Sequence, residues 1–244
     1  MRALYDTLGK GYADWRRPDP RIQAAIDAAL GDAKSVVNVG AGAGSYEPRD
    51  RAVAAVEPSQ VMIAQRSRGA APVVQGSASA LPFSDKSFDA AMALLTVHHW
   101  PDIRAGLREM MRAACKRVVI FTWDVPETPF WLTRDYFPEI LEHDRKQFSL
   151  APYREVFARF ETRAVPVPHD CSDGFLCAYW RRPRMYLDGG ARAAISSFAR
   201  LGDVSATLAR LRRDIDDGSW ARRNAELLDR AEMDYGYRLI IAEL

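Results

Sequence analysis

The sequence is poor in the features that mark several broad classes of protein. Only three of its 244 residues are cysteine, too few for a disulfide-stabilised scaffold. No apolar run approaches the roughly 20 residues that a membrane span needs. The 34 basic and 32 acidic residues nearly cancel, giving a net charge of +2, so charge provides no argument for nucleic acid as the main partner.

The first residues also lack the apolar stretch of a secretory signal peptide. We therefore expect a cytoplasmic protein in a reducing compartment, a monomer or homodimer, with no membrane or nucleic-acid partner. Paired arginines do occur, but acids are interleaved with them, and a solvated helix face explains them better: 181–182, 212–213 and 222–223.

An alternation of strand-like and helix-like segments is present instead. Seven short apolar or β-branched runs are predicted as strands: 35–39, 52–56, 72–75, 88–95, 117–123, 162–168 and 235–242. Helical spacing between several of them predicts an α/β fold, a doubly wound, Rossmann-like, seven-stranded and mostly parallel sheet. Residues 1–244 are predicted to form one domain, in which segments 124–150 and 171–233 are insertions that cap the substrate side. The second is a helical cap before the last strand.

Three glycines at alternate positions, Gly40, Gly42 and Gly44, follow the first predicted strand. Glycine lets the backbone approach a ligand where a Cβ would clash. A strand, this glycine turn, a helix and a second strand ending in Glu57 are typical of a nucleoside-binding unit, in which the acid accepts both ribose hydroxyls. Dinucleotide sites use G-x-G-x-x-G, whereas Ser45 stands here at the third glycine. S-adenosylmethionine, which carries no phosphate, fits this spacing better than a nicotinamide cofactor.

Four segments in order carry a family resemblance: Val39–Gly44, Val56–Ser59, Gly76–Phe83, and Ser87–Ala90 running into Leu94–Asp102. The chain resembles a class I S-adenosylmethionine-dependent methyltransferase of the small-molecule "type 11" family. The resemblance implies a cofactor site in which the glycine backbone lies under the methionine, Glu57 holds the ribose, and the Leu95 carbonyl meets the methionine ammonium. The implied cofactor contacts are Gly40, Ala41, Gly42, Gly44, Glu57, Pro58, Met62, Ser77, Ala78 and Leu95.

The N-terminal segment 1–20 resembles the lid of the same family. Tyr12 and Arg16 are the implied cover of the methionine end, with the guanidinium available to its carboxylate. A surface helix whose aromatic side chains pack on the sheet remains an equal alternative for this segment. Two positions depart from the family pattern, because relatives usually carry Asp at Asn38 and often at Ser77. We expect cofactor binding to survive both.

The expected reaction is methyl transfer to a small-molecule acceptor, with O-, N- and C-methylation all open. Because the cofactor supplies the leaving group, the protein mainly positions and desolvates the acceptor, and a general base assists where a proton must leave. His99 and His98 are the candidate bases, His99 slightly preferred, although a structural role is an open alternative for each. Aromatic side chains that could line a pocket for a flat acceptor, or simply pack, are Trp100, Trp123, Trp180 and Tyr5.

Two further classes remain alternatives. A nucleic-acid or protein methyltransferase is disfavoured because the [DNS]-P-P-[YFW] motif of base-amino enzymes is absent where Thr96–Trp100 stands. A non-catalytic S-adenosylmethionine-binding protein would keep the same fold. No metal site is expected, since His169, Cys171 and Cys177 are too sparse for a structural zinc set.

Overall fold

A computed structural model of the chain describes residues 12–126 and 130–244, and for Tyr12, Ala13 and Lys146 only the backbone. Its strands are β1 Ser35–Val39, β2 Ala52–Glu57, β3 Val73–Gln75, β4 Phe88–Leu94, β5 Ala114–Trp123, β6 Glu161–Ala164, β7 Val167–Pro168, β8 Glu232–Met233 and β9 Tyr237–Glu243. Its α-helices are α1 Tyr12–Trp15, α2 Pro20–Leu30, α3 Gln60–Ala64, α4 Ile103–Ala113, α5 Trp131–Asp135, α6 Pro138–Gln147, α7 Ala151–Val156, α8 Gly189–Ala193, α9 Ser205–Asp216, α10 Ser219–Arg223 and α11 Ala225–Leu228.

Seven strands form one sheet in the order β3-β2-β1-β4-β5-β9-β6. Neighbouring strands from β3 to β5 are parallel, while β9 runs antiparallel to both β5 and β6. The order reverses beside β1, so the carboxyl ends of β1 and β4 flank the switch point at which open α/β sheets bind ligands. The predicted fold class, a mostly parallel Rossmann-like sheet of seven strands, is confirmed.

Alternating side chains of the central strands enter two separate hydrophobic cores. On β5, Val119 and Phe121 join the cluster that contains α2, whereas Val118 and Ile120 join the cluster that contains α4. Both faces of these strands are therefore buried, as the continuous apolar runs predict. The amphipathic α4 is preceded by Asp102, whose carboxylate caps the helix by accepting from Ala105 N.

The described residues of segments 124–150 and 171–233, here called the cap, pack mainly on the α2 side of the sheet. Their large aromatic side chains belong to the same cluster as that face of the sheet: Phe130, Trp131, Phe137, Trp180, Tyr186 and Trp220. The second segment is built mainly from 3₁₀- and α-helices of four or five residues, together with the 12-residue α9. Across the described part of the chain, no helix is both long enough and apolar enough to cross a membrane.

Several predicted boundaries were wrong. Residues 40–51 are all described and contain no helix, so the crossover from β1 to β2 is a loop. The helix predicted at 61–68 ends at Ala64. The strand predicted at 162–168 is divided at Pro166, which cannot donate to a ladder: β6 is the edge of the main sheet, and β7 pairs with β8 in a separate two-stranded sheet.

Candidate functional site

The loop after β1, residues 40–46 and here called the glycine loop, folds back onto the end of β2. Gly40 N and Ala41 N both donate to Val56 O, at 2.8 and 3.0 Å. A Cβ on Gly40, whose φ is +72°, would lie 2.3 Å from Thr96 Oγ1. Only glycine therefore lets the loop approach the end of β4 this closely.

Beside the glycine loop lies a cavity of about 560 Å³, here called the first cavity. Its volume is within the usual range for a site that holds a cofactor-sized molecule. Gly44 is the one predicted glycine outside its lining, and it borders a separate groove instead. The predicted cofactor contacts that line it are Arg16, Gly40, Ala41, Gly42, Glu57, Pro58, Met62, Ser77, Ala78 and Leu95.

Glu57, at the end of β2, is held in place by the backbone around it. Its two carboxylate oxygens accept from Gly42 N at 2.8 Å and Ser59 N at 2.9 Å. The residue is only 5% exposed, yet it lines the first cavity. Each carboxylate oxygen can accept more than one hydrogen bond.

Leu95 follows β4 with a φ of +52°, a conformation that is unusual for a residue with a branched side chain. Its N–H donates to Phe121 O at 2.7 Å, which pins it to β5. Strain of this kind tends to occur at functional sites, and Leu95 lies where the first cavity meets a smaller one.

The smaller cavity, here called the second cavity, has a volume of about 50 Å³ and lies between the sheet edge and the cap. Arg16 and Leu95 line both cavities, which are therefore neighbours. The remaining wall is mostly apolar and aromatic: His98, Trp123, Phe148, Phe175, Leu176, Ile195, Ser196, Ser197 and Tyr237.

The two adjacent histidines line different cavities. His99 lines the first cavity and His98 lines the second. The His98 ring packs against Phe148 with 4.5 Å between centroids, and its Nδ1 is buried with no hydrogen-bond partner among the described residues. Gln147 at the end of α6 donates to the His98 carbonyl at 2.7 Å, which links the cap to this segment.

Burial lowers the pKa of both histidines. Desolvation takes the pKa of His98 well below its usual value, and the neighbouring His99 adds to the effect. The pKa of His99 falls to about 4, again mainly through burial, with the positive charges of Arg200 and Arg16 contributing. Both rings are therefore neutral near pH 7, and each keeps one ring nitrogen as a hydrogen-bond acceptor.

Arg16 is fixed in the wall of both cavities by Asp173 of the cap. Its Nε and Nη2 donate to the two carboxylate oxygens at 2.6 and 3.3 Å. Tyr46 of the glycine loop donates to the same carboxylate at 2.9 Å, and its own oxygen accepts from Asp19 N. Asp173 therefore joins the N-terminal segment, the glycine loop and the cap at one buried point, a contact that no local sequence pattern indicates.

The predicted aromatic contacts are distributed unevenly. Trp100 lines the first cavity, packed over Gly106 of α4, where an added Cβ would lie 2.4 Å from its ring. Trp123 lines the second cavity. Trp180 lies within the core with its Nε1 donating to Val167 O at 3.0 Å, and lines neither cavity. Tyr5 and the side chain of Tyr12 lie outside the described residues.

Comparisons with known proteins agree with this geometry. Residues 37–121 match the family described as "Methyltransferase domain". A solved structure from Anabaena variabilis, described as a methyltransferase from an antibiotic biosynthesis pathway, is 34% identical with a TM-score of 0.86, and the match covers 94% of this chain and 99% of that one. A demethylmenaquinone methyltransferase of Corynebacterium efficiens is 30% identical over 152 residues, which span 61% of this chain and 63% of that relative.

Fold alone does not determine the chemistry. The [4+2]-cyclase SpnF shares this fold with a TM-score of 0.54 at 17% identity. The sheet, the glycine loop and Glu57, taken with the closer relatives, define a class I S-adenosylmethionine-dependent methyltransferase, so the cofactor is S-adenosylmethionine. Within that class, the chain belongs to the "type 11" methyltransferase-domain family.

Proposed function

We propose that the protein transfers the methyl group of S-adenosylmethionine to a small-molecule acceptor with an apolar or aromatic body. The observation that supports this most directly is the pair of adjoining cavities, which share Arg16 and Leu95. The first is large enough for the cofactor, and the second opens beside the expected methionine end. A sulfonium donor needs its acceptor in line and out of water, and a cavity adjoining the cofactor cavity supports such an arrangement.

In the first cavity, the glycine loop lies against the methionine and Glu57 accepts from the ribose hydroxyls. Met62 and the Ser77–Ala78 edge border the adenine, and the Leu95 carbonyl accepts from the methionine ammonium. The hydroxyl of Ser77 is already 2.9 Å from that of Ser79, so the adenine amino group competes with a local contact. Arg16 contacts the methionine carboxylate while Asp173 holds it in place.

In the second cavity, His98 is better placed than His99 to act on the acceptor. Its neutral ring lines the cavity, and its buried Nδ1 has no partner among residues 12–126 and 130–244. Trp123 and Phe148 offer aromatic faces there. A volume of about 50 Å³ is less than the roughly 150 Å³ that holds benzene in a protein core, so the cap side chains must move outward as the acceptor enters.

The relatives support a small acceptor. One is described as acting on demethylmenaquinone and another as part of an antibiotic biosynthesis pathway. The net charge of +2 also argues against nucleic acid as the acceptor. Incorporation of labelled methyl groups into RNA or DNA, with none into metabolite extracts, would instead favour a nucleic-acid methyltransferase.

Calorimetric titration with S-adenosylhomocysteine tests the cofactor site. We expect micromolar binding by the wild type and a loss of about tenfold or more for Glu57→Ala, because hydrogen bonds to a charged group contribute about 1.5–3 kcal/mol. The control is Glu226→Ala, which removes an exposed acid on α11 and should leave binding unchanged. Equal affinities for the wild type and Glu57→Ala would refute the assignment.

A further inference from the structure

Asn38, at the carboxyl end of β1, holds a buried oxygen that the protein leaves unpaired. The residue is 1% exposed and lines the first cavity. Its Nδ2 donates to Glu47 Oε1 at 3.1 Å, whereas its Oδ1 has no hydrogen-bond partner in the described part of the chain. A buried polar atom of this kind, on a residue that borders a ligand cavity, calls for a donor from the ligand.

Behind Asn38 lies a buried ion pair. Arg66 Nη2 donates to both oxygens of Glu47, at 2.6 and 2.8 Å, and the two side chains are only 5% and 7% exposed. Glu47 also accepts from Ala71 N at 2.9 Å, and Arg66 Nη1 donates to Gly42 O at 3.1 Å. A negative charge is therefore held next to Asn38, and its counter-ion is tied to the glycine loop.

The helix-free crossover makes this arrangement possible. Tyr46 has a φ of +62°, and Glu47 precedes Pro48, which disfavours the helical conformation for it. Glu47 consequently turns inward beneath β1 instead of continuing into a helix.

We propose that Glu47 supplies, from the loop, the negative charge that the family resemblance implies at position 38, and that Asn38, which donates to Glu47, accepts from the methionine ammonium of the cofactor. The amide donates to Glu47 on one side, which leaves its oxygen to accept from the ammonium on the other. The proposal rests on the cofactor site argued above. It makes Glu47 and Arg66 positioning residues, since they act on the cofactor through Asn38 and the glycine loop.

On this proposal, the aspartate that the family resemblance implies at position 38 does not suit this chain. The change Asn38→Asp would place a second carboxylate about 3 Å from Glu47 in a buried site, and neighbouring like charges disfavour ionisation of both. Asn is a side chain of the same shape that can donate to Glu47 and accept from the ligand at the same time.

A double-mutant cycle tests the proposal: wild type, Asn38→Asp, Glu47→Gln and both changes together, each titrated with S-adenosylhomocysteine and with 5′-methylthioadenosine. The second probe shares the nucleoside but lacks the amino-acid part. We expect each single change to weaken S-adenosylhomocysteine binding tenfold or more. The double variant keeps one carboxylate and one amide with their positions exchanged but still lacks the Glu47 partner of Arg66, so it should bind S-adenosylhomocysteine more tightly than the product of the two single losses predicts without matching the wild type. Binding of 5′-methylthioadenosine should stay within about threefold throughout.

Three outcomes would overturn the proposal. The first is that Asn38→Asp binds S-adenosylhomocysteine as tightly as the wild type, and the second is that the double variant binds as weakly as the product of the two single losses predicts. The third is an equal loss of affinity for both probes, which would indicate a merely structural role. If Asn38→Asp does not fold alone, recovery of folding on adding Glu47→Gln supports the charge pairing, and its absence refutes it. Failure of the wild type to bind S-adenosylhomocysteine would instead refute the proposed function.

Discussion

Replacing Asp173 by Asn tests whether the buried junction of Arg16, Tyr46 and Asp173 stabilises the site. The Asp173 side chain is 1% exposed and that of Arg16 is 10% exposed. The carboxylate accepts from two atoms of Arg16, from Tyr46 and from Gly174 N at 2.7 Å. An amide in its place removes the negative charge from the junction and turns an NH₂ donor toward Arg16 and Tyr46, which are donors themselves.

Removing one partner of a buried ion pair costs about 3–5 kcal/mol. Arg16 retains a small exposed edge beside the two cavities, which water can enter, so the lower end of that range, about 3 kcal/mol, is the better expectation. For a domain of this size, each kcal/mol shifts the melting temperature by about 2–4 °C, so Asp173→Asn should melt about 6–12 °C below the wild type.

Thermal unfolding followed by circular dichroism measures this shift, and Asp170→Asn provides the matched control. Asp170 is three residues earlier in the same segment and pairs with Arg21 at 2.8 Å, but both side chains are at least half exposed, so solvent screens the pair. The control should melt close to the wild type. If Asp173→Asn melts within 2 °C of the wild type, or no lower than Asp170→Asn, the junction does not stabilise the site.

Two further predictions concern the histidines. With an acceptor found by screening, His98→Ala should lose most methyl-transfer activity while its affinity for S-adenosylhomocysteine stays near the wild-type value. Full activity of His98→Ala would show that His98 is not the general base. The pKa of His99 is about 4 in the folded protein and near 6.5 when unfolded, so the unfolded chain takes up a proton first as the pH falls, and stability is lost between about pH 6.5 and 4. Urea unfolding measured across this pH range should show that the free energy of unfolding falls less steeply with falling pH for His99→Asn than for the wild type. Identical slopes of the unfolding free energy against pH would refute the lowered pKa of His99.

Much of the fold follows from local sequence because its determinants are local. The run Phe88–Leu95 is apolar on both faces, which predicts a central parallel strand, and β4 forms there with buried neighbours on each side. Pro20 and Gly31 bracket α2, as expected for residues that start and end helices. The cofactor loop was predictable for the same reason, since its glycines and Glu57 lie within 18 residues of each other.

The helix predicted between β1 and β2 was wrong, although the sequence held a signal against it. Pro48 follows Gly44 after only three residues, too few for a helical turn between two residues that interrupt helices. The twelve residues 40–51 are just sufficient to cross between parallel strands without a helix.

Contacts between distant segments set the limit of the sequence-based predictions. Arg16 and Asp173 are 157 residues apart, and the two histidines face different cavities only because a 3₁₀ turn places them there. Asn38 illustrates the same limit from within the motif itself. Read alone, it is a weakened version of the aspartate that the family resemblance implies. If Glu47 supplies the missing charge, as proposed above, then a residue nine positions away compensates for this departure, and Asn38→Asp should weaken cofactor binding rather than strengthen it.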